Sequence, residues 1–168
     1  MEPSPHTRLI TLRPLVRADI DAIATWHYDP PYDIYDVDKN AMKAAQSDLK
    51  STFRAISDTA ELVGYCSFGH DGQVPGGDYL DPATDIGIGI RPDLVGRGHA
   101  SAFLAPVIAE VTRMALGIPL RVTVAALNER SIRAWTRQKF VETSRFTGFP
   151  SGLPFVILTR PDNHLLNT

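Results

Sequence analysis

Apolar residues Phe103, Leu104, Val107, Ile108, Val111 and Met114 recur at spacings of three and four. That period gathers them on one stripe, so a helix is expected over residues 98–116. Pro106 lies inside it and is expected to kink it or weaken one turn. Gly117 is placed to cap its end, and Pro119 blocks continuation. Residues 16–26 (VRADIDAIATW) carry Ile20, Ile23 and Ala24 at helical spacing, and a further helix is expected over residues 40–50. Asn128 is placed to cap the helix NERSIRAWTRQ.

Strand character falls on residues 9–15, 52–56, 61–68, 84–90, 120–125, 140–146 and 153–159. Ser57, Asp58 and Thr59 are expected to turn between the second and third of these. Two loops rich in proline, aspartate and glycine cover residues 27–38 and 70–82. The tail PDNHLLNT is expected to fray. The order is strand, two helices, three strands, helix, strand, helix, two strands. It predicts a mixed α/β (α+β) domain with parallel and antiparallel pairings.

Composition narrows this little further. The chain has 168 residues, which suits one domain over its whole length. Its apolar share is 43%, enough for a core, and its net charge is −2. No basic face is implied, so nucleic acid is not an expected partner. Cys66 is the single cysteine, which excludes an internal disulfide and fits a reducing compartment. It lies in an apolar strand and reads as a buried structural thiol. No apolar run is long enough for a bilayer, and MEPSPHTRLI has no signal-peptide core. A cytoplasmic protein without a membrane partner is expected.

The stretch DLVGRGHASAF carries the first candidate chemistry. Gly96, Gly98, Ala100 and Ser101 are small residues at a helix start. Unpaired N–H groups and a partial positive charge gather there, and small side chains let a phosphate approach. A tight strand-to-helix turn accounts for the same residues. The preceding strand, TDIGIGI, has Gly87 and Gly89 on one face, a pattern that marks a bulge or a close approach by another chain or a ligand. The turn is not a P-loop, because no Lys-Ser/Thr pair follows it. It is a poor dinucleotide fingerprint as well: Ser101 stands in place of the third glycine.

Together, TDIGIGIRPDLVGRGHASAFL and LRVTVAALNERSIRAWTRQKF resemble the GNAT superfamily of acyl-CoA-dependent N-acetyltransferases. Val95-Gly96-Arg97-Gly98-His99-Ala100 fills the family's Gln/Arg-x-x-Gly-x-Gly/Ala signature, with Val95 in place of Gln or Arg. Asn128, Ser131, Trp135 and Phe140 match its second signature. The resemblance implies a single-domain GNAT-like fold, with a mixed sheet whose two central parallel strands splay apart between flanking helices. It implies acetyl-CoA as cosubstrate and no metal. The pyrophosphate would meet the backbone of Val95, Gly96, Arg97, Gly98, His99 and Ala100. The pantetheine arm would pair with Ile88, Gly89 and Ile90, with Asn128 reaching it from the other side and Trp135 in the same binding wall.

The resemblance also frames the chemistry. An acceptor amine with a pKa of about 10.4 costs about 4 kcal/mol to deprotonate near pH 7.4. A thiolate with a pKa of about 8.5 costs about 1.5 kcal/mol to release unprotonated. A base is therefore worth more than an acid. Asp85 is the first candidate base, through a water, beside the reading of a solvated strand-start aspartate. Tyr79 and His70 are further candidates. Many members have a tyrosine acid where Trp135 stands. Indole cannot serve, so a water or a tyrosine such as Tyr79 would replace it.

The loop WHYDPPYDIYD interleaves Trp26, Tyr28, Tyr32 and Tyr35 with Asp29, Asp33 and Asp36. In this family the segment between the first two helices helps wall the acceptor site. Trp26, Tyr32, Asp33, Tyr35 and Asp36 are the candidate acceptor residues, suited to a small cationic amine or a peptide amine. A solvated acidic loop with packed aromatics is the other reading. Two functions follow: an N-acetyltransferase acting by direct attack in a ternary complex, or a non-catalytic acyl-CoA-binding or sensing module. A monomer or a homodimer fits either.

Overall fold

The computed structural model describes residues 9–47 and 51–161. Seven strands form one sheet: β1 (Ile10–Pro14), β2 (Ser51–Asp58), β3 (Glu61–Gly69), β4 (Thr84–Ile90), β5 (Leu120–Ala125), β6 (Val141–Thr147) and β7 (Pro154–Arg160). Their spatial order is β1-β2-β3-β4-β5-β7-β6. The β4–β5 pair is parallel and the others are antiparallel. Helices α1 (Arg17–Ile23) and α2 (Lys39–Gln46) precede β2, α3 (Ala100–Met114) joins β4 to β5, and α4 (Glu129–Arg137) follows β5.

Alternation along the strands divides the sheet into two faces. Ile56, Ile86, Val122, Val124, Val156 and Leu158 point to the face covered by α3 and α4, where Phe103, Val107, Val111 and Trp135 complete the larger core. Ala55 points to the opposite face, against Leu15, Ile20 and Ile23 around α1 and Met42 of α2. Trp26 and Val37 pack on this second cluster, so both ends of the loop between α1 and α2 are anchored there.

The elements expected from the pattern are present, with shifted ends. The first helix stops at Ile23, because Ala24 and Thr25 turn back onto the residues before them. One 3-10 turn, Tyr32–Tyr35, interrupts the following loop. β2 runs on to Asp58, and Thr59 and Ala60 make the turn at φ of 48° and 68°. That two-residue geometry favours Asn or Gly, so neither residue type announced it. Helix α3 starts at Ala100 and continues through Pro106. Lys39 opens α2, and the expected end of that helix at residues 48–50 lies outside the described residues, as does the tail from residue 162. Cys66 is fully buried in the larger core, and burial pushes its thiol up to about 12. Among the described residues no helix is long and apolar enough to cross a membrane.

Candidate active site

Strands β4 and β5 stay together for three register pairs and then separate. The pairs are Thr84 with Leu120, Asp85 with Arg121, and Ile86 with Val122. Beyond them, residues 87–90 keep only β3 as a neighbour, and residues 123–125 only β7. A cavity of about 690 Å³ opens between the parted ends. Phe103, Leu104 and Trp135 line it from the helix-covered face, and Tyr28, Tyr65 and Ser67 from the other. Hence it reaches both faces of the sheet.

The closed end of this wedge is held by charge. Asp85 and Arg121 are 3% and 4% exposed. The Arg121 guanidinium donates to both Asp85 oxygens, at 2.7 and 2.8 Å, and to the Asp81 carbonyl at 3.0 Å. Gln73 Nε2 adds a bond to Asp85 at 2.9 Å. The pairing raises the Arg121 pKa, chiefly through its hydrogen bonds to Asp85. The guanidinium also lies 4.9 Å from the Tyr79 ring centre. The Tyr79 hydroxyl accepts from Val74 N–H and pairs with Thr123 Oγ, both at 2.9 Å. This pins the 70–82 loop to β5.

The open end is bridged by the loop between the first two helices. Tyr28 Oη donates to the Ile90 carbonyl at the end of β4, 2.7 Å away. Tyr35 Oη accepts from Ala125 N–H at the end of β5, at 3.2 Å, and from Asn128 Nδ2 at 3.5 Å. Burial is the main reason both phenols are raised above their ordinary pKa. Asn128 also caps α4, its Oδ1 accepting from Ser131 N–H at 3.2 Å.

At the helix-side mouth, Gly96 and Gly98 adopt φ of +75° and +76°. Only glycine takes this backbone without penalty. The chain then enters α3 through His99, which makes no side-chain cap hydrogen bond. A Cβ on Gly96 would lie 2.5 Å from Arg130 Nη1. Arg130 in turn covers the Tyr32 ring at 4.6 Å, so one side chain of α4 touches both the glycine turn and the tyrosine loop.

The sequence matches the Acetyltransferase (GNAT) domain over residues 9–141. The chain belongs to the GNAT acetyltransferases. Among solved structures, a spermidine N-acetyltransferase SpeG chimera from Vibrio cholerae and hSSAT is 17% identical with a TM-score of 0.72, over 95% of this chain and 99% of that one. YncA from Salmonella typhimurium, a putative acetyltransferase solved with acetyl-CoA, is 22% identical with a TM-score of 0.64, over 92% and 95%. A putative phosphinothricin N-acetyltransferase is 20% identical with a TM-score of 0.68, over 92% and 99%. No curated protein matches the sequence.

Within this GNAT chain the cavity gathers many of the expected residues. Ile88, Gly89, Ile90, Val95, Gly96, Gly98, His99, Ala100, Asn128 and Trp135 line it, and so do Tyr32 and Tyr35. Arg97 is exposed beside it. Trp26, Asp33 and Asp36 stand off the lining. Trp26 packs on Tyr65, with ring centres 6.3 Å apart. Asp36 pairs with His27 at 3.0 Å and accepts from Tyr28 N–H at 2.9 Å, so it shapes the loop. Asp33 points to solvent.

Two features of β4 are already engaged within the sheet. Asp85 is no open proton acceptor, because both its oxygens are committed to Arg121 and Gln73 inside the sheet. Protonating it would leave a buried guanidinium uncompensated. The glycines of β4 make room for side chains of β3 while their backbone still lines the cavity. A Cβ on Gly89 would collide with the Tyr65 ring, and one on Gly87 would lie 2.6 Å from Ser67 Oγ.

Reasoning from sequence passed over Arg121, Tyr65, Thr123 and Arg130, and named Tyr28 only among the loop's aromatics. A signal existed for Arg121: TDIGIGI and LRVTVA each carry one charge at the second position, with opposite signs. In a parallel pair with aligned starts those charges meet. Nothing in the sequence ties Tyr28 to Ile90 across 62 positions.

Proposed function

We propose that this GNAT protein is an N-acetyltransferase moving the acetyl group of acetyl-CoA to an amine by direct attack in a ternary complex. The observation that supports this most is the continuity of the wedge. Its parted strands lead straight to the left-handed Gly96–Gly98 turn before α3. The group fits there on two grounds. Positive-φ glycines leave backbone N–H groups approachable by a pyrophosphate. The β5-facing edge of residues 87–90 is free of β5, which suits a pantetheine arm.

Roles follow from placement. Val95, Gly96, Gly98, His99 and Ala100 hold the pyrophosphate, mainly by backbone, with Arg97 adding charge from outside. Ile88, Gly89 and Ile90 align the arm, and Asn128 and Trp135 flank it. Bound acetyl-CoA supplies the activated acyl group. The acceptor approaches from the tyrosine-walled side, past Tyr28, Tyr32, Tyr35 and Tyr65. Two carboxylates, Asp38 and Asp71, line the cavity and are the candidates to take the amine's proton through a water. A small amine fits this enclosure. A spermidine N-acetyltransferase from Vibrio cholerae, solved with CoA and spermine, is a structural relative at 18% identity. The single buried thiol suits a reducing cytoplasm.

Trp135 favours a second reading, a non-catalytic acyl-CoA-binding module, because the family's usual acid is missing there. Thiol release from acetyl-CoA over a panel of polyamines, aminoglycosides, amino acids and peptides separates the two. Amine-dependent release supports the enzyme. Tight CoA binding with no release for any amine supports the binding module.

A further inference from the structure

Trp135 leaves the departing thiolate without the family's usual proton donor. Helical side chains lean toward the N-terminus of their helix, so a tyrosine at position 135 would lean along α4 toward Asn128. A phenol already stands beside Asn128, and it comes from another element. We propose that Tyr35, carried by the loop between α1 and α2, is the catalytic acid that protonates the CoA thiolate. The assignment rests on the acetyl-transfer reading above.

Hydrogen-bond direction carries the argument. Asn128 Oδ1 accepts from Ser131 N–H, which turns its Nδ2 toward Tyr35. Ala125 N–H donates to the same phenolic oxygen. Tyr35 Oη therefore accepts twice, and among the described residues it donates to nothing. Its proton is left for the cavity that the residue lines together with Asn128 and Trp135. The neighbouring phenols differ. Tyr28 has spent its proton on the Ile90 carbonyl. Tyr79 accepts from Val74 N–H and shares a hydrogen bond with Thr123 Oγ, and it does not line the cavity. Tyr32 lies under Arg130, and Tyr65 covers Gly89. Of the tyrosines lining the cavity, Tyr35 is the one flanked by two N–H donors able to hold a phenolate.

The step balances. The amine lone pair forms the N–C bond as the C–S bond breaks, and that pair goes to sulfur. The Tyr35 O–H proton moves to sulfur and gives the thiol. Ala125 N–H and Asn128 Nδ2 hold the phenolate. The amine's proton passes through a water to a cavity carboxylate and on to solvent, and a proton from solvent returns to the Tyr35 phenolate. Burial raises the Tyr35 pKa more than its two donors lower it, so the phenol carries its proton at neutral pH.

Tyr35→Phe keeps the ring and removes the proton. With acetyl-CoA at pH 7.4, kcat is expected to fall about tenfold, the factor that one pKa unit of thiolate represents. The acetyl ester of the selenol analogue of CoA supplies a far more acidic leaving group of nearly the same shape. With that donor the loss should shrink below twofold. Adding Trp135→Tyr to Tyr35→Phe should restore most of the rate with acetyl-CoA. An unchanged or higher kcat with tighter acetyl-CoA binding would show that Tyr35 merely occupies the arm's place, and would overturn the proposal. So would an equal loss with both donors, which marks a structural role. A wild-type protein that binds acetyl-CoA but releases no thiol with any amine removes the acetyl-transfer reading itself, and Tyr35's role with it. That control is read before any variant.

Discussion

The two ends of the β4–β5 wedge are built from opposite materials. At the closed end a buried carboxylate and guanidinium face each other as one register pair, with both side-chain oxygens of Asp85 bonded. At the open end, neutral phenols from a loop hold the strand termini by single hydrogen bonds. A buried ion pair is hard to break one partner at a time, because the survivor is left charged in a poor solvent. A phenol bond is worth about 1 kcal/mol and water replaces it readily. The fold therefore fixes where the strands part and leaves the parted region open to exchange with a ligand.

The largest effect expected of any variant tests the closed end. Asp85→Ala should destabilise the protein by about 3–5 kcal/mol in urea unfolding, since it strands Arg121. A loss below about 1 kcal/mol would mean that the clamp is not what keeps the wedge shut. At the open end, Gly98→Val forces a β-branched residue into a left-handed backbone, at a cost of about 1–2 kcal/mol. Calorimetry should show acetyl-CoA binding weakened about tenfold, while Val95→Ala changes it less than twofold. Equal effects would move the grip from backbone to side chain.

Tyr28→Phe should lower stability by about 1 kcal/mol, read as a small drop in Tm. If it matched Asp85→Ala, the two ends would not differ as described. The same carboxylate–guanidinium chemistry recurs in a wetter place and gives a control. Arg13 donates to both Asp19 oxygens at 2.7 and 2.8 Å, and Val16 N–H adds a third bond at 2.9 Å. The Arg13 hydrogen bonds, first among the causes, hold the Asp19 pKa low. A depressed carboxylate stabilises the fold above its unfolded pKa, about 3.9, and stops doing so as pH falls through its folded pKa. Wild type should exceed Asp19→Asn by about 1 kcal/mol or less at pH 6, because Arg13 is partly exposed. The lead should close below about pH 4. The smallest effect is expected at Asp33: Asn there should shift the acceptor KM less than twofold, since its carboxylate stands off the cavity.

Much of the fold was legible because hydrophobic period is local. The α3 stripe, the Asn128 cap and the seven strand runs needed no neighbour to be recognised. The glycine turn was legible too, since Gly96 and Gly98 answer a backbone demand that few residues meet. The site's wall was less so. Gly87 and Gly89 announced close approach, but not whether a ligand or Tyr65 made it. Asp85 looked like a strand-start acid because its partner lies 36 residues away.

By itself, then, the sequence determined the order and type of the elements, the turn before α3 and the family whose signatures it carries. These rest on period, backbone preference and spacing, all written within a few residues. Tertiary structure alone decided which carboxylates are buried in pairs, which phenol accepts two N–H bonds, and which loop closes the wedge. Burial and hydrogen-bond direction depend on atoms brought together from distant segments, and no local pattern encodes them.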